Sequence, residues 1–126
     1  MGEIRFTDRE LDIMSVLWSR GPSTVAEVQS ALEDDLAYNT VLTMLKIMED
    51  KGYLSRIPEG RAHRYTAEVE RDAAGESALE RVTERLFGGS PEKLLLRLVD
   101  TELDEDELRR MRDLLDRRLK EMEDER

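Results

Sequence analysis

LAYNTVLTMLKIMEDKGYLSRIPEGRAHRYT, residues 36–66, carries in one run a helix, a glycine stop, a strand, a reversal and a second strand. Val41, Leu45 and Met48 recur at spacings of four and three, which makes one apolar helical face and leaves Asn39, Thr40, Thr43, Lys46 and Ile47 pointing elsewhere. Lys51-Gly52 stops the helix, with a cation near the negative end of the dipole and a glycine where the chain must turn. Tyr53, Leu54 and Ile57 begin an extended segment, Pro58-Glu59-Gly60 reverses it, and Ala62 to Tyr65 run back. A helix followed at once by a hairpin bearing arginines is the expected recognition helix and wing of a winged helix-turn-helix, a unit that binds duplex DNA.

A length of 126 residues is consistent with one domain, or with a small domain and an appendage. Only 39% of residues are apolar and 40% are charged, so the core is small relative to helical surface, and a small core gains from a partner subunit. The absence of cysteine excludes disulfides, thiolate metal sites and thiol redox chemistry. Apolar runs such as Leu94-Leu95-Leu96 are too short for a membrane span, and Met1-Gly2-Glu3 begins no signal peptide, so a cytoplasmic protein is expected. A net charge of −10 argues against DNA until its distribution is considered. Between residues 51 and 66 the cations Lys51, Arg56, Arg61 and Arg64 face only Glu59, so one basic edge stands on an acidic molecule.

Before this stretch, Thr7-Asp8-Arg9-Glu10 is a capping box that opens a first helix, with Leu11, Met14 and Trp18 expected inward beside Ile13 and Leu17. Gly21-Pro22 closes it, Ser23-Thr24 is a candidate short strand, and Thr24-Val25-Ala26-Glu27 is a second capping box whose helix turns Val25, Val28 and Leu32 inward. After it, Ala74, Ala78, Leu79, Val82, Leu86 and Phe87 hold helical spacing up to Gly88-Gly89. Ser90-Pro91 starts a short helix with Leu94, Leu95, Leu98 and Val99. Asp104-Glu105-Asp106-Glu107 places negative charge at the start of the last helix, whose stripe of Leu108, Met111, Leu115, Leu119 and Met122 is too apolar to leave in water. The expected architecture is mostly α with a small β-wing: a winged helix-turn-helix DNA-binding domain over residues 1–70 and a helical dimerisation domain over 71–126. Leu94, Leu98, Leu108, Met111, Leu115 and Leu119 are the candidate residues of a homodimer interface.

In order, Glu10-Leu11-Asp12-Ile13-Met14 to Leu17-Trp18, Thr24 to Val28, Ala37-Tyr38-Asn39-Thr40-Val41-Leu42-Thr43-Met44-Leu45, Lys51-Gly52-Tyr53-Leu54 and Gly60-Arg61-Ala62-His63-Arg64-Tyr65 resemble the penicillinase-repressor family, the BlaI/MecI/CopY type of bacterial regulators. Leu86-Phe87-Gly88-Gly89-Ser90 and the acidic helix after it resemble that family's dimerisation half. The resemblance implies a homodimeric repressor on an inverted-repeat operator, with one winged helix per half-site. It also implies that Thr40 and Thr43 approach DNA. The copper-responsive branch carries a cysteine-rich motif that this chain lacks, so no metal response is implied. Where the penicillinase branch is cut at an Asn-Phe bond, this chain has Arg97-Leu98, so a regulatory protease, if one acts, is of unknown identity. Members often carry arginine where this chain has Leu42 or Ile47, so base readout is expected to differ.

The candidate DNA-binding residues are thus Asn39, Thr40, Thr43, Lys46, Arg61, His63 and Arg64. Asn39 reads an adenine edge or caps the helix; Lys46 meets a phosphate or is simply solvated; Arg61 and Arg64 meet phosphates or the minor groove from the wing, or balance an acidic surface. His63 is expected to touch DNA, pack or titrate, and one histidine without cysteine partners makes no metal site. Trp18 and Tyr65 read as core, and the acidic run at 104–107 as helix-start charge. No glycine-rich phosphate loop and no nucleophile beside a base is present, so neither a catalytic site nor a cofactor is expected. The competing reading is a winged helix used only for protein contacts.

Overall fold

A computed structural model describes residues 4–126; Met1-Gly2-Glu3, on which the absence of a signal peptide was read, lie outside the described residues. The element order is α1 (Asp8–Arg20), α2 (Val25–Ala31), α3 (Tyr38–Asp50), β1 (Leu54–Glu59), β2 (Ala62–Ala67), α4 (Arg71–Phe87), α5 (Pro91–Val99) and α6 (Glu105–Asp124). The fold is therefore mostly helical with one two-stranded antiparallel wing, and its first five elements form the expected winged helix-turn-helix. By packing, the chain divides into residues up to 80 and residues 81–126, so the first ten residues of α4 go with the winged helix. No helix among the described residues is long and apolar enough to cross a membrane.

In the first unit both capping boxes form. The Thr7 hydroxyl accepts from the Glu10 amide while the Glu10 carboxylate accepts from the Thr7 amide, and Thr24 and Glu27 repeat the exchange at α2. Helix α3 ends in a reciprocal turn: Tyr53 N–H donates to Met48 O at 3.0 Å and Gly52 N–H to Glu49 O at 2.9 Å, with Gly52 at φ +84°, where a side chain would strain the backbone. The core gathers Ile13, Met14 and Leu17 of α1, Val25 and Val28 of α2, Val41, Leu45 and Met48 of α3, Leu54 and Tyr65. Each contributes on the order of 1.5–3 kcal/mol by leaving water. The inner face of α1 differs from the expected one: Glu10, Ile13, Met14 and Leu17 are buried, Leu11 is exposed, and Trp18 is half-buried. Six apolar residues between Leu11 and Trp18 let two adjoining faces look inward on periodicity alone. Trp18 instead faces the start of α4, its indole donating to Val69 O at 2.8 Å under the Arg71 guanidinium.

Three local readings also shift. Ser23-Thr24 makes no strand of its own; Ser23 forms a single bridge to Tyr65, with N–H···O distances of 3.1 and 2.8 Å, and Thr24 is the α2 cap. Pro58 does not turn the chain but lies within β1 opposite His63, which a two-stranded sheet with only edge strands tolerates. The reversal is the two-residue loop Gly60-Arg61, with the glycine first and at φ +60°, as a type II′ hairpin requires.

The second unit contains the end of α4, α5 and α6. Ser90 caps α5 with Pro91 in its first turn, and Asp104 and Glu107 form a third capping box at α6, which gives the acidic run its structural task. No residue of α5 or α6 is buried, and Leu98, Leu108, Leu115, Leu119 and Met122 are all exposed. Leu94 and Met111 are half-buried.

Candidate nucleic-acid interface

Helix α3 turns Val41, Leu45 and Met48 into the core, so its 3.6-residue period aims Asn39 and Thr43 most nearly outward, with Thr40 and Lys46 on the flanks; all four are exposed. The N-cap of α3 is Ala37, which makes no side-chain hydrogen bond, and Asn39 lies inside the first turn; the capping alternative for Asn39 therefore does not hold.

Beside this face a crevice of about 350 Å³ opens between the start of α2, the side of α3 and the wing. Tyr38, Leu42 and Lys46 line it from α3 at successive spacings of four, Thr24 and Ala26 from the cap and first turn of α2, and Arg56, Arg61, His63 and Tyr65 from the hairpin. Within β2, His63 and Tyr65 fall on the crevice side by alternation while Arg64 does not line it, and Arg61 and Ala62 reach the crevice from the turn and the start of the strand. The structure thus brings Lys46, Arg61 and His63 to one opening, with Asn39, Thr40 and Thr43 on the adjoining outward face of α3, and it sets Arg64 apart. Tyr38, Leu42 and Arg56 were not among the sequence candidates. The spacing of Tyr38 and Leu42 to Lys46 carried that signal, and Arg56 faces Tyr65 across the ladder.

Charge around the crevice is partly engaged within the chain. Arg56 Nε stands 3.3 Å from Glu49 Oε2, tying β1 to α3. Lys46 and Arg61 pair with no carboxylate among the described residues. Arg64 makes three contacts: Nη1 donates to Glu27 Oε1 at 2.7 Å and to Pro22 O at 3.1 Å, and Nε lies 2.5 Å from Glu59 Oε2. The Glu59 hydrogen bond leads in holding the Arg64 guanidinium even more firmly protonated than an ordinary arginine, and the Glu27 carboxyl is held below its usual range first by the Thr24 amide.

At the far end of α3, Lys51 Nζ donates to Glu10 Oε2 at 2.8 Å, although only 5% of Glu10 is exposed. Burial by itself pushes this carboxyl up. The Lys51 hydrogen bond and charge and the Thr7 amide and hydroxyl outweigh it, so the group lies below its ordinary value. Lys51 is raised in turn, chiefly by its bond to Glu10. The expected dipole role of Lys51 is thereby joined by a tie from the end of α3 to the start of α1.

Residues 6–117 match the penicillinase repressor family. The transcriptional regulator BlaI of Mycobacterium tuberculosis is 44% identical over 71 residues, 54% of this chain and 51% of that protein; the chain spans about half the length of this curated relative. An uncharacterised 16.5 kDa protein of Latilactobacillus sakei is 30% identical over 112 residues, 86% of this chain and 77% of that one. Among solved structures, the monomeric form of Bacillus licheniformis BlaI in complex with the blaP half-operator is similar with a TM-score of 0.50 and 28% identity, covering 57% of this chain and 90% of that one. With a capped three-helix unit, a two-stranded wing and a match running through both halves, the chain belongs to the penicillinase repressor family.

Proposed function

We propose that this chain is a DNA-binding transcriptional repressor that occupies an inverted-repeat operator as a homodimer. The observation that carries the reading is the convergence of the α3 flank and the wing on one opening, where Lys46 and Arg61 keep their charge unmatched by any carboxylate among the described residues. In this reading α3 enters the major groove, Asn39, Thr40 and Thr43 meet base edges and nearby phosphates, Lys46 and Arg61 meet phosphates, and His63 lies beside them. A relative of similar fold in complex with a half-operator supports DNA as the partner. Residues up to 70 read DNA, and residues 71–126 pair two copies through Leu94, Leu98, Leu108, Met111, Leu115 and Leu119. The exposure of most of these in the single chain supports the pairing, because each leucine removed from water contributes about 1.5–3 kcal/mol toward association.

The test is a mobility-shift titration of the full chain on duplex DNA at low and moderate salt. Binding that weakens steeply with salt is expected, and Arg61→Ala should lower the log–log slope by about 0.9, one phosphate contact. Failure to shift any duplex, together with capture of a basic protein, would replace this reading with a protein-contact module. Induction is proposed in a restricted form: the protease of the penicillinase branch does not cut here, because Arg97-Leu98 stands where that branch has Asn-Phe. Co-expression with a penicillinase-type sensor under β-lactam should leave the chain intact, and a cut between Arg97 and Leu98 would contradict this.

A further inference from the structure

Four charged side chains meet behind the wing. Glu27 caps α2 through the Thr24 amide, accepts from Arg64 of β2 at 2.7 Å and stands 3.4 Å from Arg20 at the end of α1. Arg64 also reaches Glu59, the last residue of β1, at 2.5 Å and the Pro22 carbonyl at 3.1 Å. The guanidinium therefore bridges both strands of the hairpin to the loop and first turn of α2. Two guanidiniums and two carboxylates leave the cluster neutral, so it offers a phosphate little attraction. His63 lines the crevice by alternation along β2, Arg61 reaches it from the turn, and Arg64, between His63 and Tyr65, does not line it.

We infer that Arg64 is a positioning residue: by gripping Glu27 and Glu59 together it fixes the wing on the start of α2 and so delivers Arg61 and His63 to DNA, making no phosphate contact itself. The inference rests on the DNA-binding reading for its consequence, but the clamp can be measured without DNA. Exposed ion pairs contribute little to overall stability, so the effect falls on the wing's orientation rather than on the fold. A loosened wing spends only part of its time in the competent arrangement, and apparent affinity drops by that fraction.

The experiment uses the full chain and two probes: a random-sequence 30-base-pair duplex (roughly three turns, enough for two half-sites) and wing amide hydrogen exchange without DNA. Glu27→Gln keeps the cap, since glutamine serves at that position, but removes the charge that Arg64 holds. Arg64→Ala and Glu27→Gln should each weaken duplex binding by about three- to tenfold with the salt slope unchanged, and the double variant should be no weaker than Arg64→Ala alone. Both should speed exchange of the β1–β2 amides by a similar factor, and Arg64→Lys, with a point charge in place of a fork, should recover only part of the loss. A slope lower by about 0.9 in Arg64→Ala would make Arg64 a phosphate ligand and overturn the inference, as would tighter binding by Glu27→Gln. If the unmodified chain shifts no duplex, the functional reading fails, while unchanged exchange in both variants separately removes the clamp.

Discussion

The two units of this chain spend their apolar residues in opposite ways. Residues up to 80 bury Ile13, Met14, Leu17, Val28, Val41, Leu45, Met48 and Tyr65 among themselves and pin the outer elements with Glu10–Lys51, Glu49–Arg56 and Glu27–Arg64. Residues 81–126 carry an equally regular set of leucines and bury none of them. Helices α5 and α6 are well capped, so local sequence suffices to start each, but no residue of either is buried. The first unit therefore has a core of its own, whereas the leucines of the second are left for the second copy that we propose to cover. Stability of the two units should respond differently to the same kind of mutation.

The largest effect is expected from charge placed on the α6 stripe. Leu108→Glu with Leu115→Glu removes two leucine burials of about 1.5–3 kcal/mol each from every subunit, which should weaken self-association by 100-fold or more. Sedimentation velocity over a range of concentrations reads this directly, and a variant that still sediments as a dimer breaks the comparison. Next, Leu45→Ala opens a cavity in the first unit and should cost about 2–5 kcal/mol irrespective of protein concentration. Leu119→Ala should lower the melting temperature by an amount that depends on concentration, as linkage to association demands. Thermal melts at two concentrations a hundredfold apart would separate them, and identical concentration dependence would erase the distinction.

A smaller effect is expected where α3 is tied to α1. Glu10→Gln preserves the cap but loses the charged partner of Lys51, costing about 1–3 kcal/mol near neutral pH. Because the Glu10 carboxyl lies below its ordinary value of 4.5 in the fold, its contribution is present above that pH and disappears as pH falls through the depressed value. The raised Lys51 contributes below its ordinary 10.5 and loses its contribution as pH climbs through the higher folded value. Denaturation of the two proteins should thus differ most between these limits and converge on acidification below pH 4.5. A gap that fails to narrow at all as the pH is taken progressively below 4.5 would contradict the ion pair. Smallest of all, Asp104→Ala should cost about 1 kcal/mol, seen as fraying of α6 in amide exchange while the first unit's amides keep their protection.

The same contrast marks what sequence could disclose. Periodicity at Val41, Leu45 and Met48, the boxes at Thr7 and Thr24 and the stop at Gly52 lay open because each is a local rule with a short reach. Local rules also misplaced some residues: the apolar crowding of α1 hid which face turns inward, and a proline at 58 looked like a turn although an edge strand accommodates it. Glu10 was legible as a cap but not as a buried charge, because its partner Lys51 lies 41 residues away. Arg64 looked equivalent to Arg61 for the same reason, since the carboxylates that engage it are set by how the wing folds onto α2. Tyr38 and Leu42 shared a period with Lys46, but only the closing of the wing makes that line one wall of a crevice.

The measurement that bears most directly on the account is selection of bound sequences from random duplexes by the full chain, repeated with Thr43→Arg. The account predicts enrichment of an inverted repeat whose half-site centres lie about one helical turn or a whole number of turns apart, with the half-site sequence altered by Thr43→Arg and the spacing retained. Absence of any enriched sequence, or an enriched site that Thr43→Arg leaves unchanged, would contradict the assignment of α3 to the groove.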